Sequence, residues 1–200
     1  DSAEFINSLI MSTAVPFRAY GKSTYFSPRR IGAGFVSVDG AMKTPVYLTQ
    51  NDGVSRPKIE LGEDTDGVLE FSFKAHNFSG ESQTYTLREA VLTDSFIKDS
   101  NGKYINTLTS KRINAKDYTI EYTKGAQNGI VTLSSGESKT IGVKITVSDE
   151  FMTSYREVFK NGFFVDGFIF LDGESEEQPT LSIPFVSFNG DWSNPMLFDN

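Results

Sequence analysis

The chain has 200 residues, 38% of them hydrophobic, and a formal net charge of −7, which suffices for one domain with a substantial core. The acidic balance excludes a nucleic-acid surface, which needs clustered Lys and Arg; Arg29-Arg30 and Lys111-Arg112 are isolated basic pairs and read as solvated surface features. Lack of cysteine excludes a disulfide framework, a thiolate nucleophile and a Cys-based zinc site, and no stretch approaches the ~20 apolar residues of a membrane span.

The opening residues show no signal-peptide pattern and read as the start of an excised segment. Residues 4 to 14 place Phe5, Ile6, Leu9, Ile10 and Ala14 at helical spacing, with Ser2 as a cap and Pro16 as a stop. After a polar loop, Gly32-Ala33-Gly34 marks a tight turn; it lacks the third glycine and preceding strand of a phosphate cradle. From Thr44 the periodicity changes from 3.6 to 2. Val46–Leu48 and Lys58–Leu61 read as short strands around Asn51-Asp52-Gly53. Leu69, Phe71, Phe73 and Ala75 alternate with polar residues, the half-buried pattern of a sandwich strand, and Thr84–Thr93 reads as its partner. A turn at Asp99–Gly102 and a strand at Tyr118–Tyr122 follow. Ile130–Leu133 and Ile141–Val147 then predict a hairpin around Ser134–Glu137.

One helix interrupts these strands. Ser148 is its N-cap, Asp149 and Glu150 suit the positive end of the dipole, and Phe151, Met152, Tyr155, Val158 and Phe159 form its buried face. Gly162 is placed to close it. Phe163–Leu171 reads as one buried strand and Leu181–Trp192 as the next, joined by an acidic loop with Glu174, Glu176 and Glu177. Phe163, Phe168 and Phe170 are the expected core anchors. About seven to nine strands with one inserted helix imply an all-β, immunoglobulin or fibronectin III-like antiparallel sandwich.

Two stretches carry a resemblance. "K-N-G-F-F-V-D-G-F-I-F-L … L-S-I-P-F-V-S-F-N-G-D-W" resembles the end of the fibronectin III-like domain that follows the catalytic domain in Gram-positive cell-envelope subtilisin-type serine proteases. "I-N-S-L-I-M-S-T-A … S-P-R-R-I-G-A-G-F-V-S-V-D-G-A" resembles the final forty or so residues of the catalytic domain itself. The resemblance implies a boundary: residues 1–43 as a short helical remnant of a subtilisin-type α/β domain, and residues 44–200 as the sandwich. It also implies an extracellular, cell-surface or wall-anchored parent that cleaves extracellular proteins or peptides. The chain would then be a scaffolding or substrate-positioning accessory, with the catalytic domain as its intramolecular partner. A free-standing adhesion module is the alternative, for which Tyr104, Tyr118 and Trp192 are the candidate binding aromatics.

No catalytic, cofactor-binding or metal-ligating residue is assigned. The family's "G-T-S-M-A-x-P" nucleophile motif has no counterpart: Ser12-Thr13-Ala14 falls late in a helix without the leading glycine or the Met. His76 is the single histidine and is expected exposed on a strand, opposite Phe71 and Phe73. Glu63-Asp64-Thr65-Asp66-Gly67 opens like a calcium loop but lacks the bidentate glutamate, so an acidic turn is expected, with calcium a matter for the parent protease. Asn77-Phe78-Ser79 fits a glycosylation sequon that has little meaning in a Gram-positive source. The stripe Phe5, Ile6, Leu9 and Ile10 would lose its partner outside a complete protease. It is expected to pack on the sandwich or to drive self-association through the residue 4–14 helix, and removing residues 1–43 is expected to leave a folded sandwich.

Overall fold

The computed structural model describes residues 2–18, 20–21, 23–51, 56–64, 66–175, 178–191 and 193. Three helices come first among them: α1 (Ser2–Ser12), α2 (Pro28–Ile31) and α3 (Val38–Lys43). Then follow β1 (Val46–Gln50), β2 (Ile59–Asp64), β3 (Val68–Asn77), β4 (Gln83–Lys98), β5 (Tyr104–Arg112), β6 (Tyr118–Lys124), β7 (Ile130–Leu133) and β8 (Ser138–Val147). Helix α4 (Asp149–Val158), β9 (Phe163–Gly173) and β10 (Leu181–Asn189) complete the order.

The strands form two facing sheets, β1-β3-β8-β6 and β2-β10-β9-β4-β5, with β7 pairing β4 beside β5. This is the all-β sandwich that alternation predicts. All pairs are antiparallel except β2 and β10, which run parallel from Phe185↔Ile59, directly after Pro184. Two expected pairings are corrected. β4 does not pair with β3, and β7 with β8 is not a hairpin; both short connections carry the chain from one sheet to the other. Asn77 fastens this corner: its side-chain amide donates to the carbonyls of Glu81, Leu133 and Ser134 at 2.7, 3.3 and 2.9 Å. Its Oδ1 accepts from the Ser79 amide and hydroxyl. The sequon asparagine is therefore buried structure with no free amide.

The inward alternation of β3 (Leu69, Phe71, Phe73, Ala75) meets Val143, Ile145, Val165, Ile169 and Phe185 in the main core. Helix α4 closes one end of the sandwich. The Ser148 hydroxyl accepts from the Phe151 amide at 3.3 Å, and Tyr155 stacks on Phe151 and packs on Phe163. The helix ends at Val158 with Phe159 as its cap, earlier than expected; Gly162 has the positive φ expected of it, 100°, and also leaves room for Phe188, whose ring would lie 2.4 Å from an added Cβ.

Strand β9 is buried on both faces, as its unbroken apolar run predicts, but the two faces meet different partners. Phe163, Val165, Ile169 and Leu171 point into the main core. Phe168 and Phe170 join Ala90 and Leu92 of β4 in a second cluster on the outer face, covered by Tyr25 and Ile31 from the N-terminal segment. Gly167 lies between them at φ 152°, with the Ala90 carbonyl oxygen only 1.9 Å from where a Cβ would stand. Glycine permits this close approach of β4 and β9.

Candidate functional site

Two features tie the first 43 residues to the sandwich and a third braces the segment itself; the first is an ion-pair knot around a buried carboxylate. Ser27 caps α2, its hydroxyl accepting from the Arg29 amide at 3.2 Å and donating to Asp166 Oδ2 at 2.5 Å. Cap geometry thereby aims Arg29 at the sheet. Its Nε donates to the same Oδ2 at 2.7 Å, and a terminal nitrogen donates to Asp94 Oδ1 at 2.8 Å. Asp94 Oδ2 accepts the Phe164 amide at 2.8 Å, and the guanidinium lies 3.9 Å from the centre of the Phe164 ring. The Asp166 side chain is 0% exposed and that of Arg29 29%. Burial raises the Asp166 carboxyl above its ordinary value, against the opposing pull of Arg29 and Ser27. Burial pulls Arg29 downward, but Asp166 and Asp94 more than reverse this and hold it above its usual range. Arg29 is at the surface as expected, like Arg30, Lys111 and Arg112, but its guanidinium is spent on two carboxylates and is not merely solvated.

The second tie is α1. Its packing face is small and polar: Ser8, Ser12 and Thr13 are buried, and the Ser12 hydroxyl accepts the Leu48 amide of β1 at 2.8 Å. The expected apolar stripe is not the packing face. Phe5 reaches Tyr47 and Phe78 edge-on at 5.1 and 5.4 Å, yet Phe5 and Ile6 are exposed and Leu9 and Ile10 half-buried. Ser2 lies within the helix, not at its cap. The third feature is internal to the segment. Gly34, at φ 119°, lets Phe35 pair with Val15 where a Cβ would meet the Val15 oxygen at 2.3 Å, and Phe35 stacks on Phe17 at 4.2 Å.

Among the described residues, eight of the fourteen exposed large hydrophobics fall within the first 43 positions, among them Ile6, Val15, Phe35, Val36, Val38 and Met42, beside exposed Glu4, Asp39 and Lys43.

The residues singled out from sequence are dispersed. Ser12 and Thr13 bond to backbone carbonyl or amide groups, which is structural work. His76 is on the outer face as expected, but half-buried: it stacks on Tyr47 at 4.7 Å, with Nε2 2.8 Å from the Thr49 hydroxyl and Nδ1 2.7 Å from that of Ser138. Burial and then Lys74 lower its pKa. Asp64 accepts the amides of Asp66 and Gly67 in an acidic turn; Thr65 lies outside the described residues. Among the described residues no group of three or more His, Asp or Glu converges on a metal position. Tyr104 is exposed, but Tyr118 is buried with its hydroxyl donating to Glu89 at 2.8 Å, so it is not a binding aromatic. Trp192, Glu176, Glu177, Asp52 and Gly53 lie outside the described residues. No helix among them is long and apolar enough to cross a membrane. Sequence reading missed Ser27, Asp94 and Asp166; the one available signal was an aspartate inside an otherwise apolar strand.

A two-sheet sandwich with a helix at one end and an N-terminal flank packed on its outer face defines an all-β domain. The chain belongs to the Fn3-like domain family, whose model matches residues 59–186, from β2 into β10. C5a peptidase of Streptococcus pyogenes serotype M1 is 28% identical over 191 residues, covering 96% of this chain and 15% of that protein. The PI-type proteinase of Lactococcus lactis subsp. cremoris is 24% identical over 202 residues, covering 98% and 10%. The chain thus spans a minor fraction of the relatives it matches, and the resemblance to cell-envelope proteases is borne out. Among solved structures, a family 123 glycoside hydrolase from Clostridium perfringens superposes with a TM-score of 0.43 at 8% identity, covering 72% of this chain and 26% of that one.

Proposed function

We propose that the chain is a non-catalytic accessory segment of a cell-surface, subtilisin-like serine endopeptidase acting on extracellular proteins or peptides. In this reading residues 1–43 are the end of the catalytic domain and residues 44–200 its Fn3-like neighbour. The observation that carries the reading is the lopsided surface: the N-terminal segment is clamped to the sandwich on one side and offers uncovered Val15, Phe35, Val36, Val38 and Met42 on the other. Each such side chain stabilises by ~1.5–3 kcal/mol when fully buried, so a catalytic domain seated there would be held firmly. The sandwich then fixes the catalytic domain's orientation through Arg29 and supplies no reacting group. The test compares peptide turnover by the 200-residue chain with that of a longer product of its gene. The chain alone should be inert, and the longer protein should turn over peptides until a serine-directed inhibitor is added. Turnover by the chain alone, or an upstream sequence lacking a "G-T-S-M-A" nucleophile motif, overturns it.

A further inference from the structure

Strand β5 ends the six-stranded sheet and pairs only with β4, so its far edge presents a row of backbone N–H and C=O groups. The ribbon that β4 and β5 form is unlike the rest of the surface in charge. From Lys98 to Arg112 the hairpin holds Lys98, Lys103, Lys111 and Arg112 against Asp99 alone, four cations to one anion, in a chain of net charge −7, with Asp94 and Asp117 lying just outside it. Asp99 is spent on the turn, where it accepts the amides of Asn101 and Lys103. None of these four cations forms an ion pair with a described residue, though Lys111 lies over the Tyr155 ring and Arg112 reaches the Tyr118 hydroxyl. Lys98 instead lies over the Tyr104 ring at 4.7 Å. Between these charges Ile97, Tyr104, Ile105 and Leu108 are exposed.

We propose that this ribbon docks an extended acidic polypeptide segment, which adds as a further strand along the free edge of β5. Three features select that occupant. The open backbone edge matches a strand, and gives a non-peptide polyanion nothing to pair with. Lysines on an edge repel a second copy of the same edge, which removes self-association through β5 and leaves an anionic strand as the complement. The exposed Ile105, and Leu108 in the bulge opposite Ser95, supply apolar contact for side chains of the incoming strand. A crevice of about 250 Å³ bordered by Tyr25, Phe26, Ser95, Ser110 and Lys111 opens where the ribbon meets the N-terminal segment, and takes one of those side chains. The inference stands independently of the protease reading.

The experiment is fluorescence anisotropy of the 200-residue chain with an end-blocked, labelled nine-residue peptide alternating Glu with Val and Thr. Its comparators are a Lys-for-Glu peptide, a copy of the acidic peptide N-methylated at alternate residues, and inorganic polyphosphate. The acidic peptide should bind in a salt-sensitive way, while the Lys peptide does not. Combined Lys98→Glu, Lys103→Glu and Lys111→Glu should weaken binding by ~tenfold or more with the circular dichroism spectrum unchanged. If charge reversal perturbs the spectrum, the Lys→Gln set gives the same comparison with gentler change. N-methylation should abolish binding, because it removes the edge pairing and leaves the charge. Undiminished binding by the charge-reversed or Gln variants overturns the proposal, as does equal binding of the N-methylated peptide. Polyphosphate binding with no peptide binding reduces the ribbon to a general anion patch and also overturns it.

Discussion

Arg29→Ala should destabilise the chain by ~3 kcal/mol at neutral pH, the lower end of the ~3–5 kcal/mol range for removing one half of a buried ion pair. The lower end applies because the Arg29 side chain keeps 29% of its surface in water, although that of Asp166 keeps none. In the variant, the described partners of the Asp166 carboxylate reduce to the Ser27 hydroxyl on Oδ2. For a chain of this size ~3 kcal/mol corresponds to a fall in Tm of ~6–12 °C. The pH dependence gives the sharper test. Burial already holds the Asp166 carboxyl above its ordinary value, and Arg29 is what restrains it, so the substitution lifts it further. A carboxyl raised in the folded state keeps its proton longer there than in the unfolded chain. The cost of its charge is therefore absent below the unfolded value of 3.8, accumulates as pH rises from there to the folded value, and is constant above it. The gap between parent and variant should be larger at about pH 7.5 than at about pH 4, where Asp166 is nearer full protonation in both folded and unfolded chains. Urea unfolding followed by circular dichroism at the two pH values measures it, and adding Asp166→Asn to the variant should recover much of the loss at the higher pH. A gap that is equal at both pH values would refute the reasoning, since the buried charge would then not be its source.

Phe168→Ala should cost ~3–5 kcal/mol as a large-to-small change in a buried cluster; an unchanged Tm would mean that Tyr25 and Ile31 do not cover it. Gly167→Ala should cost more than ~2 kcal/mol, through strain at its φ and collision with the Ala90 oxygen, read by thermal melting. Asn77→Ala strips partners from three carbonyls, and a loss of ~2–3 kcal/mol in urea unfolding is expected. His76 should titrate below 6.5 by NMR; its depressed folded value means its contribution to stability is present above 6.5 and lost as pH falls through the folded pKa. Paired Val36→Ser and Met42→Lys changes should lower binding of a hydrophobic dye while leaving Tm within about 1 °C, because both side chains are already in water.

The strands legible in the sequence are those whose two faces differ. β3 alternates because one face meets the core, and β9 reads as continuous because both faces are covered. Helix α4 was announced by Ser148 and its acidic first turn. β5 gave no signal since it is exposed on both faces, so nothing selects an alternating pattern. α2 and α3, at four and six residues, are too short to show a period. Sheet membership failed at Ser79–Ser82 and Ser134–Glu137 for a physical reason: a short polar turn looks the same whether the next strand folds back or crosses over. The Arg29–Asp166 pair joins positions 137 apart, and one sequence contains no record of which distant charges meet.

The pairing of β2 with β10 sets an order of events in time. β2 is finished by residue 64, yet its neighbour in the sheet begins only at residue 181. A chain emerging from a ribosome or an export pore therefore has no place to put β2 until nearly everything else has followed. The surface that receives Tyr25, Ile31 and Arg29 is built by β4 and β9, so it is absent until β9 has been made. The N-terminal segment therefore gains its seat on the sandwich only after synthesis has run through β9, and β2 takes its place later still, so assembly proceeds from back to front.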